Sequence, residues 1–187
     1  MVLLVENNAG VLARISSLFV QRGFNIDSLT VSPTENEKIS RLTIMTTGDE
    51  KTFNQIIKQT GKLIETRLIF SVEPSFSLIR EILLIKFDGK ETDIEALERL
   101  VSIYGARIVD KTGGCIVVEL TDTPNRIDGF IDDTRDFTVI ESCRSGAIAM
   151  ERGDVSYELC HSAYDSEMLC GAKREIVLRT VKFAFGE

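Results

Sequence analysis

The stretch that decides the fold is VLLVENNAGVLARISSLFVQRGFNIDSLTVS, residues 2–32. It opens with four apolar residues, which is typical of a short buried strand. Gly23 ends an amphipathic helix, and the helix is indicated by apolar residues that recur at helical spacing: Val11, Leu12, Ile15, Leu18 and Phe19. Residues 24–32 then predict a second strand. Its apolar face changes after Asp27, which predicts a bulge or cover on both faces.

The next forty residues complete one architectural unit. Residues 41–46 alternate apolar and polar side chains as a strand does, after a polar turn at residues 33–38. A second amphipathic helix follows, with Asp49 placed to cap it and apolar positions that run to Ile64. Residues 68–72 close the unit as a strand. The order is therefore strand, helix, strand, strand, helix, strand.

Pro74 and Ser75 mark a boundary, after which the same order begins again. Thr92 and Glu95 predict a capping box at the start of the third helix. Thr123 and Pro124 predict an N-cap and a first-turn proline at the start of the fourth. The second repeat also contains a hairpin turn and strand segments, which are Thr112-Gly113-Gly114 and residues 82–87, 108–110, 115–120, 137–140 and 147–150.

Two such repeats predict an α+β chain of two tandem ferredoxin-like βαββαβ domains. We place the first at residues 1–74 and the second at 75–154, and leave residues 155–187 as a tail of unknown structure. Within the tail, residues 175–185 alternate as a strand does. Each sheet should carry two helices on one face. Because apolar residues fall on both faces of the strands, we expect a partner to cover the other face.

Composition excludes several classes of protein. The 187 residues include 22 Lys and Arg against 29 Asp and Glu, so the net charge is −7 and a nucleic acid is an unsuitable partner. No apolar run is long enough to span a membrane, and no secretory leader opens the chain. The four cysteines form no CxxC pair, so reduced thiols in a cytoplasmic protein are expected and no metal site is predicted.

The sequence contains no recognisable arrangement of catalytic residues. The single histidine, His161, stands beside Cys160 without a serine or carboxylate pattern that marks a triad. No GxGxxG or P-loop is present. An acylphosphatase shares the predicted topology but needs an arginine-bearing phosphate loop after the first strand, which is missing. An RNA-binding sheet would need stacking aromatics and basic residues, which are also missing. No catalytic residue is therefore predicted.

One group of residues, around Asn7, Gly10 and Asn25, is suited to binding a small ligand. Asn7 and Gly10 lie between the first strand and the first helix, where backbone N–H groups and the helix dipole favour a carboxylate. Asn25 opens the neighbouring strand and offers an amide. An apolar wall would come from Val5, Leu12 and Ile26, so the site would suit a small apolar amino acid. The same residues allow a plainer interpretation, in which Asn7 caps the helix, Gly10 packs closely and Asn25 forms a turn.

At these residues the chain resembles the small subunit of acetolactate synthase (acetohydroxyacid synthase). The resemblance runs through residues 6–35, ENNAGVLARISSLFVQRGFNIDSLTVSPTE, and residues 39–65, ISRLTIMTTGDEKTFNQIIKQTGKLIE. It continues through REILLIK at residues 80–86 and RSGAIAMERGD at residues 144–154. The similarity covers residues 2–154 in order. Chains of this family commonly have several residues before the first strand and stop near residues 153–154.

The resemblance implies an N-terminal ACT domain that pairs side by side with a second copy. The effector site would then take Asn7, Gly10, Val11 and Leu12 from one chain and Asn25 and Ile26 from the other. It also implies a regulatory subunit without cofactors of its own. Its partner would be a large catalytic subunit that holds thiamine diphosphate, Mg²⁺ and FAD. The subunit would activate that enzyme and make it sensitive to valine, leucine or isoleucine, with valine favoured by the resemblance.

A second class of function stays open at this point. An ACT protein can stand alone as an amino-acid sensor that acts on another enzyme or on a transcriptional regulator. The sequence contains no helix-turn-helix pattern, and its charge is unsuited to DNA. Copurification with a catalytic subunit would separate the two interpretations.

Overall fold

The computed structural model describes residues 1–153, and the predicted tail with His161, Cys160 and Cys170 lies outside these residues. The chain divides into two compact units. Met1–Leu78 and the described residues from Ala149 onward form the first unit, and Ile79–Ile148 form the second. The boundary between them therefore follows a short 3-10 turn at Pro74–Phe76.

The first unit is an antiparallel sheet with two helices. Its elements are β1 (Val2–Glu6), α1 (Val11–Gln21), β2 (Ser28–Pro33), β3 (Ile39–Met45), α2 (Glu50–Thr60) and β4 (Thr66–Phe70). The strands lie in the order β2-β3-β1-β4, so β1 pairs with both β3 and β4. This order confirms the predicted βαββαβ unit, because the two strands that are central in space come from opposite halves of the repeat.

The core of the first unit lies between the sheet and the two helices. Leu3 and Val5 of β1 alternate toward the helices, as residues two apart on a strand must. Ile15 and Phe19 meet them from α1 because residues four apart share one face of a helix. The buried members of this cluster are Met1, Leu3, Val5, Val11, Ile15, Phe19, Leu42, Ile44 and Ile56.

Two predictions in the first unit were wrong at element ends. Strand β2 begins at Ser28 rather than residue 24, and its pairing with β3 is regular from Ser28 to Pro33, so there is no bulge at Asp27. Residues 24–27 form a loop instead, and Phe24 and Ile26 pack against the helix-side core. The alternation of apolar residues changes after Asp27 because residues 24–27 are loop and the strand begins only at Ser28. Helix α2 ends at Thr60, and Ile64 beyond it is 88% exposed.

Asp49 caps α2 as predicted. Its carboxylate accepts a hydrogen bond of 2.7 Å from the backbone N–H of Thr52, which satisfies one of the open donors of the first turn. The Thr52 hydrogen bonds hold the pKa of Asp49 below its usual value. The carboxylate therefore stays ionised at the positive end of the helix.

The other face of the first sheet is covered differently from our expectation. Val2 and Leu4 of β1 point away from the helix-side cluster, yet they are 0% and 3% exposed within this single chain. Thr43, which pairs with Val2, is buried as well. We expected a partner to cover this face, but at β1 it is already buried within the single chain.

The second unit repeats the order of the first. Its elements are β5 (Ser77–Asp88), whose first two residues still belong to the first unit, α3 (Ile94–Tyr104), β6 (Arg107–Asp110), β7 (Cys115–Asp122), α4 (Pro124–Asp133) and β8 (Val139–Arg144). A last strand, β9 (Ile148–Glu151), follows, and its residues from Ala149 onward belong to the first unit. The strand order is β6-β7-β5-β8, and β9 also pairs with β5. Leu83, Ile85 and Phe87 of β5 are buried toward the helices, whereas Ile82 and Leu84 are 46% and 42% exposed on the other face.

The turns and caps of the second unit were partly predicted. Gly113 and Gly114 have positive φ angles in the hairpin between β6 and β7, as the sequence indicated. Helix α4 begins at Pro124 after the N-cap Thr123. The capping box at Thr92 was wrong, because Asp93 is the N-cap of α3 and accepts a hydrogen bond from the N–H of Ala96. An aspartate adjacent to a threonine can take over the cap, since both side chains carry a suitable acceptor.

A buried carboxylate fastens the last strands of the second unit. Glu81 of β5 is 4% exposed. Its carboxylate accepts hydrogen bonds from two guanidinium N–H groups of Arg144 at the end of β8. Arg144 also bonds Asp128 of α4 at 2.7 Å. One arginine therefore links a strand, the edge strand beside it and a helix.

We expect Arg144→Met to lower the free energy of unfolding by about 3 kcal/mol, because it leaves Glu81 as a buried charge without its partner. Urea denaturation followed by circular dichroism measures this. Arg99→Met is the matched control. Arg99 and Glu95 form an exposed pair at 3.9 Å, whose loss should cost no more than about 0.5 kcal/mol. Equal effects of the two substitutions would contradict this role of Arg144.

Candidate effector site

The N-terminus of α1 has no side-chain cap. Gly10 is the N-cap residue, no side chain of residues 1–153 makes a cap hydrogen bond there, and no acidic residue lies in the first turn. Helix α2, in contrast, is capped by Asp49. The first N–H groups of a helix have no intrahelical acceptor, and the helix dipole adds positive potential there. An anion such as a carboxylate can therefore be bound at this end of α1.

Gly10 has a backbone conformation that other residues avoid. Its φ angle is 88°, in the left-handed region. A Cβ atom built on Gly10 would have no atom within 4 Å. The interpretation of Gly10 as a packing glycine is therefore wrong. Glycine is needed for the turn itself, and the space in front of the turn is open.

Asn7 lies beside this helix end and fastens a second loop to it. Its backbone N–H donates to the carbonyl of Lys38, and its Nδ2 donates to the carbonyl of Glu37, each at 2.8 Å. Asn7 does not cap α1, so that interpretation was wrong too. The side chain instead ties the β1–α1 loop to the turn that leads into β3.

Asn25 lies in the loop before β2 and is held by its own turn. Its Nδ2 donates to Asp27 at 2.7 Å, and its carbonyl accepts a hydrogen bond of 2.6 Å from the hydroxyl of Thr46. These contacts agree with the interpretation of Asn25 as a turn residue. Among the hydrogen bonds of residues 1–153, none joins Asn25 to Asn7 or to the start of α1.

The predicted apolar wall is only partly presented to solvent. Val5 and Val11 are 2% and 4% exposed and belong to the core, so they offer no surface to a ligand in this chain. Leu12 is 43% exposed, and Ile26 is half-buried. Of the candidate residues, Asn7, Gly10, Val11 and Leu12 are brought together at one helix end, while Asn25 and Ile26 lie in a separate loop.

Two ion pairs near this helix end were missed by the sequence reasoning. Arg14 in α1 bonds Glu65 at 2.8 Å, and Arg67 of β4 bonds Glu6 at the end of β1. Glu6 also accepts a hydrogen bond from the Nδ2 of Asn8. Spacing in the sequence does not reveal these pairs, because the partners are about fifty to sixty residues apart. The two ion pairs therefore place positive and negative side chains near the uncapped N-terminus of α1.

Other kinds of site are absent from the part of the chain that the structure describes. No group of three or more His, Cys, Asp or Glu residues within residues 1–153 is placed to hold a metal ion. Cys115 and Cys143 are free thiols. Among the described helices, none is both long and apolar enough to cross a membrane.

The geometry defines the class of protein at the level of the fold. Two units share the ferredoxin-like order, and α1 of the first unit begins without a side-chain cap. Because this fold serves many functions, the family follows from similarity to known proteins. The profile described as "AHAS small subunit-like ACT domain" matches residues 1–67. The profile described as "Small subunit of acetolactate synthase" matches residues 80–153.

Relatives and solved structures agree with the two profiles. A probable acetolactate synthase small subunit of Archaeoglobus fulgidus is 42% identical over 81% of this chain and 94% of its own length. The isozyme 3 small subunit of Escherichia coli is 38% identical over 81% and 93%. The crystal structure of the Thermotoga maritima small subunit has a TM-score of 0.74 at 36% identity and covers 82% of this chain and 96% of that one.

The chain therefore belongs to the acetolactate synthase small-subunit family. Membership implies a regulatory role beside a separate, large catalytic subunit. The fold class predicted from the sequence is confirmed, including the ACT domain at the N-terminus.

The left-handed turn at Gly10 leads to a test with a matched control. Gly10→Ala and Gly105→Ala both place a Cβ at a positive φ angle with no neighbour within 4 Å, so each should cost about 1 to 2 kcal/mol of stability. Only Gly10 lies at the uncapped helix end. We therefore expect calorimetry to show weakened amino-acid binding in Gly10→Ala and unchanged binding in Gly105→Ala. Equal binding by both variants would exclude Gly10 from the site.

Proposed function

We propose that the chain binds a branched-chain amino acid at the N-terminus of α1 and thereby controls its catalytic partner. The partner is a thiamine-diphosphate-dependent acetolactate synthase large subunit in the cytoplasm. The regulatory chain raises its activity when the effector site is empty and lowers it when the site is filled. Thiamine diphosphate, Mg²⁺ and FAD belong to the partner alone.

The single observation that carries the proposal is the uncapped start of α1. Gly10 leaves open space in front of N–H groups that no side chain satisfies, and a carboxylate is the complementary group. Leu12, in the first turn of α1, supplies exposed apolar surface. An amino acid with an aliphatic side chain matches both features, since it combines an anionic end with an apolar one.

A second copy of the chain completes the site. Asn25 and Ile26 do not meet the start of α1 within one chain, whereas β2, which they precede, is an edge strand of its sheet. Edge strands pair readily with another strand. Val20 and Leu12 share one face of α1 and are 77% and 43% exposed. We propose a homodimer through the ACT domain, in which Asn25 and Ile26 of one chain face Asn7 and Leu12 of the other.

Valine is the leading effector, although leucine and isoleucine fit the same chemistry. One buried methylene is worth about 0.8 kcal/mol, roughly a fourfold difference in binding. The three amino acids differ by no more than this unit, so the pocket discriminates among them weakly. Titration with each of the three ranks them directly.

The mechanism is thermodynamic linkage. The effector binds one arrangement of the regulatory dimer more tightly than the other, and the catalytic partner has a different activity against each. The effector can shift the balance only by its difference in affinity for the two arrangements. Activation and inhibition are therefore separable, because activation needs only the contact with the partner.

Replacing either site asparagine tests the proposal. We expect Asn7→Ala and Asn25→Ala to raise the valine concentration for half-inhibition at least about tenfold while the activation of the catalytic subunit persists. Assays of the reconstituted enzyme over a range of valine concentrations measure both effects. Asn125→Ala is the matched control, since Asn125 is an exposed asparagine of α4 in the other unit. Wild-type sensitivity in both site variants would refute the site.

Copurification separates this proposal from a free-standing sensor. A tagged chain should retain its cognate catalytic subunit through size-exclusion chromatography and increase its specific activity. A chain that binds valine but neither retains nor activates that subunit would favour the sensor interpretation.

A further inference from the structure

Arg41 occupies an unusual place in the first sheet. It lies in β3, where it pairs with Leu4 of β1 and Ser32 of β2. Its neighbour Leu42 belongs to the helix-side core, so Arg41 points to the opposite face of the sheet. The side chain is half-buried. A cation held on a largely apolar sheet face requires specific partners to offset its lost hydration.

Those partners come from two ends of the first unit. The Nη2 of Arg41 donates a hydrogen bond of 2.7 Å to the carbonyl of Ala149. The guanidinium lies 5.9 Å from the ring centroid of Phe70 in β4, within the range of a cation–π contact. Glu151 is near enough for Arg41 to oppose the effect of burial, which raises the pKa of that carboxyl.

Ala149 has a special position along the chain. The second unit ends at Ile148, and Ala149 is the first residue after it that belongs to the first unit. The segment is buried at Ala149, which is 7% exposed, and is fixed again where the N–H of Arg152 donates to the carbonyl of Phe76. Arg41 therefore bonds the segment in which the chain returns to the first unit.

The same strand also reaches the candidate effector site. Asn7 donates to the carbonyls of Glu37 and Lys38, which immediately precede β3. Arg41 follows Lys38 by three residues, roughly 10 Å along an extended strand. One continuous, paired strand therefore connects the turn that bonds Asn7 with Arg41.

We infer that Arg41 is the residue that couples effector binding at the start of α1 to the segment that begins at Ala149. The inference rests on the proposed function and adds the route by which the signal leaves the ACT domain. Coupling needs an element with two states that both sites bias. Here the two states are the Arg41–Ala149 hydrogen bond formed and broken, and the effector favours one of them through Asn7 and β3. Arg41 touches neither effector nor substrate, so it is a positioning residue.

The test separates binding from inhibition in the full-length chain with its cognate catalytic subunit. We expect Arg41→Met to bind valine with a dissociation constant within about twofold of wild type, while the concentration for half-inhibition rises at least about tenfold. Arg41→Lys keeps one donor without the planar stack, and we expect an intermediate rise. Hydrogen exchange in residues 149–153 should accelerate in Arg41→Met.

Two further variants guard against a purely structural effect. Arg80→Met is the matched control, because the exposed Arg80 makes a side-chain hydrogen bond to the carbonyl of the adjoining Ile79 and to no other residue within 1–153. Both valine responses should stay as in wild type. Phe70→Leu removes the stacking ring but keeps Arg41 and an apolar side chain. It should shift inhibition in the same direction by a smaller factor, which provides a readout even where Arg41→Met folds poorly.

The outcomes distinguish the two proposals. Wild-type inhibition in Arg41→Met and Phe70→Leu would overturn the coupling role while leaving the effector site intact. Loss of valine binding together with inhibition in a folded Arg41→Met would also overturn it, because the residue would then support the site itself. A wild-type chain that neither binds valine nor confers inhibition would instead refute the proposed function.

Discussion

The first unit depends on the double pairing of β1. This five-residue strand bonds β3 on one side and β4 on the other, and its side chains are buried on both faces of the sheet. A strand in this position cannot shift its register without exposing apolar side chains or losing hydrogen bonds. Its end at Glu6 is therefore fixed in space. The loop that carries Asn7 and Gly10, and with it the start of α1, is fixed by the same pairing.

The N-termini of the described helices differ in how their first N–H groups are satisfied. Asp49 and Asp93 close α2 and α3 with side-chain hydrogen bonds. Helix α4 has no side-chain cap hydrogen bond, but Pro124 at its first position removes one N–H donor. Helix α1 begins at a glycine in a left-handed conformation and has no such closure. Within residues 1–153, two of the four helices are therefore capped by side chains, and α1 alone begins at a glycine in the left-handed region.

Sequence reasoning was most successful where local chemistry decides the outcome. Asp49 as a cap, the Gly113-Gly114 hairpin and Pro124 at the start of α4 all follow from single-residue preferences. It failed where two neighbours compete, as at Thr92 and Asp93, or where apolar loop residues resemble a strand, as in residues 24–27. It also missed Arg14 with Glu65 and Arg67 with Glu6, since ion pairs between distant segments leave no periodic signal.

The sequence alone determined the two βαββαβ repeats and indicated Asn7 and Gly10 as a candidate ligand-binding end, because hydrophobic period and glycine conformation are local properties. Only the tertiary structure decided that Val5 and Val11 are core rather than pocket wall, and that Asn7 bonds Glu37 and Lys38 rather than capping α1. The contact of Arg41 with Ala149 was likewise decided there, since it joins residues 108 positions apart. Burial and partners of this kind depend on which segments the fold brings together, and no window of sequence contains them.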